Sequence, residues 1–311
     1  MKHLDLASLL HPIVPEDFYH HYFDVFPLHI AREDEQYYSG YIDDMTVSSL
    51  LTDFYDSPLL SIRLIHPTNK LGEDQYIDYS HTGNVIIRNG VKLPEIERLF
   101  HQKKATIVVE NLDRFMNWTN DLSVDVSNIL QCVCESRLRI MPAGGESFAP
   151  AYEVFDRFIL QTNGRVPVKV YGPLVHQPMA SQAGKPFLRD SSELLLDAVL
   201  ETGDFLYVPR GFILETGGAE QPAAQIVMDV FNTTWAKVIA SALQVWAQEI
   251  DVLREGFYQA HMRGEKSLQL KSEQLAEQLC EQVIKLEAYP LRKVIARQSR
   301  ITLAHRLGES L

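Results

Sequence analysis

The sequence is poor in cysteine, short of positive charge and without any long apolar run. Three cysteines, Cys132, Cys134 and Cys280, stand in 311 residues. That is too few for a disulfide framework and fits a reducing compartment. Cys132 and Cys134 have no second pair, so they match neither a zinc spacing nor the C-x-x-C redox spacing. Their apolar neighbours, Ile129, Leu130 and Val133, mark them as core cysteines. No apolar run reaches the ~18 residues that span a bilayer, so no membrane partner is expected. Met1-Lys2-His3-Leu4-Asp5 lacks a signal-peptide pattern, and a cytoplasmic location is expected. Against 41 Asp+Glu there are only 29 Lys+Arg, a formal charge of −12. A nucleic-acid partner calls for a basic face, so none is expected; a basic protein or peptide suits this balance better.

What is present is an ordinary globular composition, with 46% hydrophobic, 10% aromatic and 23% charged residues. The texture changes once, near Asn232. Before it, short apolar runs alternate with turn residues; after Thr233 the period becomes helical. Helices are expected over 15–26, 45–55 and 93–102. Strands are expected over 59–66, 84–88, 105–109 and 138–141, with a turn at Asn89-Gly90. A single strand is read over 153–161, and Asn163-Gly164 then signals a hairpin into 166–171. Phe205–Val208, Phe212–Leu214 and 224–231 close the series. Many short strands separated by turns indicate a β-sandwich or jelly roll.

In the last third, Ile239, Leu243, Trp246, Ile250, Leu253 and Phe257 recur at spacings of four and three, as on one long helix. Leu275, Leu279, Val283 and Leu286 mark a second helix, and 291–307 a third. Such stripes pack either onto their own chain or onto another copy. The domain division is therefore 1–232 and 233–311.

Common catalytic patterns are missing: no Gly-x-Ser-x-Gly elbow, no Walker loop and no dinucleotide fingerprint. His3-Leu4-Asp5 is the sole His-x-Asp in the chain, and it has no strand context. One long stretch does carry a pattern. It runs Ser147-Phe148-Ala149-Pro150-Ala151-Tyr152-Glu153, then Asp156-Arg157-Phe158-Ile159-Leu160-Gln161, then Gly164-Arg165, and later Gly203-Asp204-Phe205-Leu206-Tyr207-Val208-Pro209-Arg210-Gly211. This frame resembles the JmjC-type cupin oxygenases, and more narrowly the ribosomal oxygenase group that hydroxylates ribosomal proteins. The opening segment 18–30 and the helices after Trp235 are also similar to that group. The resemblance implies an α+β protein. Its core is a double-stranded β-helix, with an N-terminal α/β elaboration and a C-terminal helical dimerisation region. A winged-helix segment has no place before Leu311.

Members of that group hold Fe(II) with two histidines and a carboxylate, and bind 2-oxoglutarate through a basic residue. By resemblance, the first histidine position falls on Ala151, the carboxylate on Glu153 and the distal histidine on Leu214. The basic position falls on Val166, fifteen residues after Ala151. Ala151 and Leu214 have no lone pair for a metal, and a solitary carboxylate is a poor Fe(II) site. The expectation is therefore a vacated pocket around Ala151, Glu153, Val166 and Leu214, with no cofactor, no metal and no catalytic residue. Tyr152, Arg157 and Gln161 are candidate polar residues of that pocket, and an Arg157–Glu153 ion pair would fill part of it. The function expected is a non-catalytic homodimeric protein- or ligand-binding factor. The alternative is an atypical cupin enzyme. It would be either a hydroxylase using Fe(II) and 2-oxoglutarate with relocated ligands, or a pocket running metal-free chemistry.

Overall fold

The computed structural model of the chain describes residues 4–39, 41, 61–183, 192–248, 250–256 and 264–284. The chain divides into two compact units, Met1–Phe231 and Asn232–Leu311. The expected helices over 45–55 and 291–307, and the stripe positions Phe257 and Leu286, lie outside the described residues.

The first unit opens with two short helices, Leu6–Leu10 and Pro15–His21, and a strand β1 (Leu28–Ile30). Asp5 caps the first helix, its Oδ1 accepting from the Ser8 N–H at 2.8 Å. Strands β2 (Ser61–Ile65), β3 (Ile77–Thr82) and β4 (Val85–Val91) come next, then the helix Leu93–Lys103 and β5 (Thr106–Glu110). The helix Asn117–Leu130 leads into β6 (Val133–Met141), β7 (Phe148–Tyr152), β8 (Asp156–Asn163) and β9 (Val166–Pro173). The last strands are β10 (Leu194–Leu200), β11 (Phe205–Val208), β12 (Phe212–Thr216) and β13 (Ala223–Phe231).

Among the described residues the strands form a seven-stranded sheet, ordered β1-β11-β8-β13-β6-β5-β2, a four-stranded sheet, β10-β9-β12-β7, and a separate β3-β4 pair. Pairing within the first two is antiparallel. Side-chain alternation sorts the large sheet into two faces. Phe158, Leu160, Phe205, Tyr207 and Met228 pack with Leu6, Leu9 and Phe18 of the N-terminal helices. Ile159, Leu206, Val208 and Val227 face the other way, onto Val166, Val168, Val170, Leu200 and Phe212 of the small sheet. The two sheets thus close around one interior, the expected jelly-roll arrangement.

Several expected elements differ in detail. The strand read over 153–161 begins later: β7 ends at Tyr152, residues 153–155 bend, and β8 starts at Asp156. The hairpin read at Asn163-Gly164 is a crossing between sheets, since β8 belongs to the large sheet and β9 to the small one. Gly164 has φ +72°, and a Cβ there would stand 2.6 Å from the Pro222 carbonyl oxygen. Only glycine fits that corner. The turn expected at Asn89-Gly90 falls instead at Gly83-Asn84, and Asn89-Gly90 lies within β4 beside a pairing irregularity. Cys132 and Cys134 are buried, with Sγ atoms 3.8 Å apart.

In the second unit a helix spans Trp235–Trp246, with the Thr234 side chain accepting from the Lys237 N–H at its start. The single long helix expected here breaks after Trp246, where Asp251–Leu253 forms a separate 3-10 turn. A second helix runs Glu265–Ile284, with Leu275 and Leu279 partly buried along it. Among the described residues no helix is long and apolar enough to cross a membrane.

Candidate functional site

The rim of the barrel brings two of the singled-out positions together. Ala151 on β7 and Leu214 on β12 are direct cross-strand partners, and Leu214 also pairs with Val170 of β9. Ala151 is exposed and Leu214 partly exposed, so both stand where solvent reaches the interior. Glu153 lies in the turn just beyond β7, with its side chain 42% exposed. Val166 is elsewhere. It is fully buried at the start of β9, opposite Leu200, in the apolar contact between the sheets.

The candidate polar residues separate. Arg157, at the start of β8, is buried, and its guanidinium joins two carboxylates. Nη2 lies 3.2 Å from Glu153 Oε1, and Nε lies 2.9 Å from Asp229 Oδ1. Burial disfavours its charge, but Asp229 and Glu153 outweigh that and raise its pKa. Tyr152 is no pocket residue. It points to the opposite face from Ala151, packs with Tyr171 and Ile213, and donates its hydroxyl to the Gln182 carbonyl. Alternation along a strand dictates that outcome, because neighbours at i and i+1 face apart. Gln161 shares the face of Arg157 but sits buried towards the far end of β8. There it donates to the Asn163 carbonyl at 2.7 Å and accepts from Gln225 at 2.8 Å.

The same face carries residues that the sequence reading passed over. Asp229 of β13 receives both Arg157 and Arg137; Arg137 Nη2 is 3.1 Å from its Oδ1, with a second contact from Nη1. Arg139 follows two residues along β6 on the same face, its guanidinium 5.8 Å from the Phe148 ring. Their signal was available in Ser136-Arg137-Leu138-Arg139-Ile140, where charge alternates with apolar residues along a strand. Arg165, just before β9, and Lys169 within it do not enter the interior. They form exposed pairs with Glu201 and Asp197 at 2.7 and 3.3 Å.

These residues do not fit an iron centre of two histidines and a carboxylate. Alanine and leucine offer no donor at the paired positions 151 and 214, and Glu153 is bound by Arg157. Among the described residues no group of three His, Cys, Asp or Glu side chains could hold a metal ion.

The Gly-Asp-x-Leu-Tyr-x-Pro-x-Gly stretch serves the framework. Asp204 is buried, takes the His29 ring N–H at 3.0 Å and the Arg32 N–H at 3.1 Å, and so ties β11 to the segment after β1. Tyr207 accepts from the Asp24 N–H at 2.7 Å, and Arg210 holds the Asp24 carboxylate through two 2.8 Å bonds. The Gly211 N–H reaches the Glu153 carbonyl at 2.8 Å, locking the turn on which Glu153 sits.

Known proteins agree with this architecture. Residues 113–238 match the JmjC domain family. The chain is 25% identical over 259 residues to the bifunctional lysine-specific demethylase and histidyl-hydroxylase NO66 of Dictyostelium discoideum, covering 81% of this chain and 48% of that protein. It is 28% identical over 257 residues to ribosomal oxygenase 1 of Gallus gallus, covering 80% and 41%. It thus spans less than half the length of these curated relatives. Among solved structures, the ribosomal oxygenase YcfD of Escherichia coli, in complex with cobalt and succinic acid, superposes with a TM-score of 0.55 at 19% identity. That match covers 90% of this chain and 68% of that one. This chain carries a JmjC domain on a cupin fold, with relatives named as ribosomal oxygenases and NO66 hydroxylases.

Proposed function

We propose that this JmjC chain is a non-catalytic binding protein, one whose barrel takes up neither Fe(II) nor 2-oxoglutarate. The observation that carries the reading is the pairing of Ala151 with Leu214 beside a Glu153 engaged by Arg157. A metal at this rim would have one carboxylate, and that carboxylate already has a cationic partner. Val166, at the position that resemblance gives to the 2-oxoglutarate counter-charge, is sealed in the core, and the nearby Arg165 and Lys169 pair outward with Glu201 and Asp197. Position 166 is thus ruled by packing and not by ligand chemistry. The chain acts as a homodimer assembled through residues 233–311. Its net charge of −12 favours a basic protein or peptide partner.

Equilibrium dialysis of the full chain against Fe(II), Mn(II) and Ni(II), with calorimetric titration of 2-oxoglutarate, tests the central point. No stoichiometric binding of metal or 2-oxoglutarate is expected. Tight one-to-one binding of either overturns the reading and leaves the chain an oxygenase with relocated ligands.

A further inference from the structure

The hairpin β3–β4 belongs to neither barrel sheet. On β4 it carries Val85, Ile86 and Ile87 in succession, 60%, 64% and 44% exposed. Neighbouring strand residues face opposite ways, so the hairpin is apolar on both faces at this point. β3 pairs along one edge of β4, and among the described residues no strand lies along the other. Gly83, at φ +62°, and Asn84 form a two-residue turn that closes on Thr82 and Val85. In such a turn the closing pair is hydrogen-bonded, and the pattern alternates from there. The Ile86 N–H and C=O therefore point away from β3, as do those of Arg88. A two-stranded hairpin is marginal in water by itself, and an apolar edge with outward backbone groups is a template for another strand.

We propose that β4 pairs edge to edge with β4 of a second copy of this chain, antiparallel across a two-fold axis, to make a four-stranded sheet. Charge selects this occupant. The chain carries a net −12, so two copies repel over most approaches, but Asn84–Ile87 holds no charge at all. With the axis at Ile86, that residue lies opposite its own copy as a hydrogen-bonded pair. Val85 then lies opposite Ile87 on either side of the axis, so every central pair is β-branched and apolar. In the same register Arg88 falls beside the second copy's Asn84, a donor beside an amide acceptor, and no charge faces its like. The patch is thus complementary to itself, as a two-fold contact requires. A single pair of strands buries less than the about 1,200 Å² of a standard interface, so the association is weak and follows concentration. It uses residues of the first unit alone, and depends neither on assembly through 233–311 nor on the metal-free reading.

Analytical ultracentrifugation of the full chain from about 1 to about 300 μM tests it. The mass should climb with concentration towards at least twice that of the species present at the low end. Ile86→Lys, which sets two ammonium groups face to face at the axis, should weaken that step at least about tenfold. Ile86→Val keeps a β-branched pair and should stay within about threefold. Val124→Lys, at a 50% exposed position on the helix Asn117–Leu130, adds the same charge elsewhere and should leave the step unchanged. Amide hydrogen exchange of the unaltered chain reads the backbone directly. The Ile86 and Arg88 N–H groups should gain protection at the high concentration. Four results overturn the proposal. They are a constant mass over the whole range, a step that Ile86→Lys leaves intact, a step that Val124→Lys weakens as much, and a rise in mass without protection of those two amides. The exchange measurement uses the unaltered protein and decides the matter even if a variant fails to fold.

Discussion

Asp229 pairs with two of the three arginines on its face of the barrel. It is almost fully buried and receives Arg137 and Arg157 together, so it neutralises part of a field that would otherwise be three guanidinium groups. Substituting Asp229→Asn takes from Arg137 the carboxylate it holds and leaves the buried Arg157 with Glu153 alone. The expected loss is about 3–5 kcal/mol of folding stability, typical of breaking a buried pair by removing one partner. Urea unfolding followed by circular dichroism measures it; a loss under about 1 kcal/mol would show that the network relaxes into water. The nearness of Arg157 to Glu153 was readable from sequence, because four residues with a turn between them return the chain on itself. Asp229 was not. It sits in the apolar run Ala223–Phe231, where one acid among eight neighbours reads as a strand residue until its cross-strand partners are known. Tyr152 was misread for the opposite reason: its chemistry drew attention, while its odd-even position already placed it on the far face from Ala151.

At the scale of elements, the motif that carries the family resemblance works as a set of fasteners. Asp204 joins β11 to β1 and the segment following it. Burial pushes its carboxyl pKa up, but hydrogen bonds from His29 and from the Glu201 and Arg32 N–H groups prevail and hold it below 3.8. A depressed carboxyl pKa adds stability that is whole above the unfolded value and lost as pH falls through the folded one. The unaltered chain should therefore lose stability as acid carries it below about pH 4. Asp204→Asn should be less stable at neutral pH and show a shallower acid limb. Urea midpoints at a series of pH values test this, and parallel limbs for the two chains would refute it. The strand series was legible because β-branched and aromatic runs are bounded by turn residues. The helix Asn117–Leu130 was not, since two of its four inward positions, Thr119 and Ser123, are polar and blur the apolar period. Strand β10 was hidden by its Leu-Leu-Leu-Asp-Ala-Val-Leu composition, which suits a helix as well as an edge strand. Pro150 within β7 is consistent with that strand's place at a sheet edge, where a missing N–H costs little.

For the molecule as a whole, the proposed dimer is to be tested on the second unit, where a helix spans Glu265–Ile284. Leu275 and Leu279 lie four residues apart on Glu265–Ile284, one face of a helix. Replacing both by Glu should turn a dimer into a monomer in light scattering over a range of concentrations. A dimer that survives the double substitution rules out assembly through this helix. The break after Trp246 escaped sequence analysis because the apolar spacing continues through Ile250 and Leu253 although the backbone does not. Periodicity reports which residues seek cover, not whether one helix carries them.

The pairing of Ala151 with Leu214, and of Glu153 with Arg157, also bears on reversibility. A new histidine at position 151 or 214 alone finds neither a second imidazole nor a free carboxylate. Both positions must change and Glu153 must be released from Arg157 before a metal gains three donors. On the proposed metal-free function, each single step towards that state meets an intact ion pair and gains no complete donor set, so the arrangement would act as a ratchet.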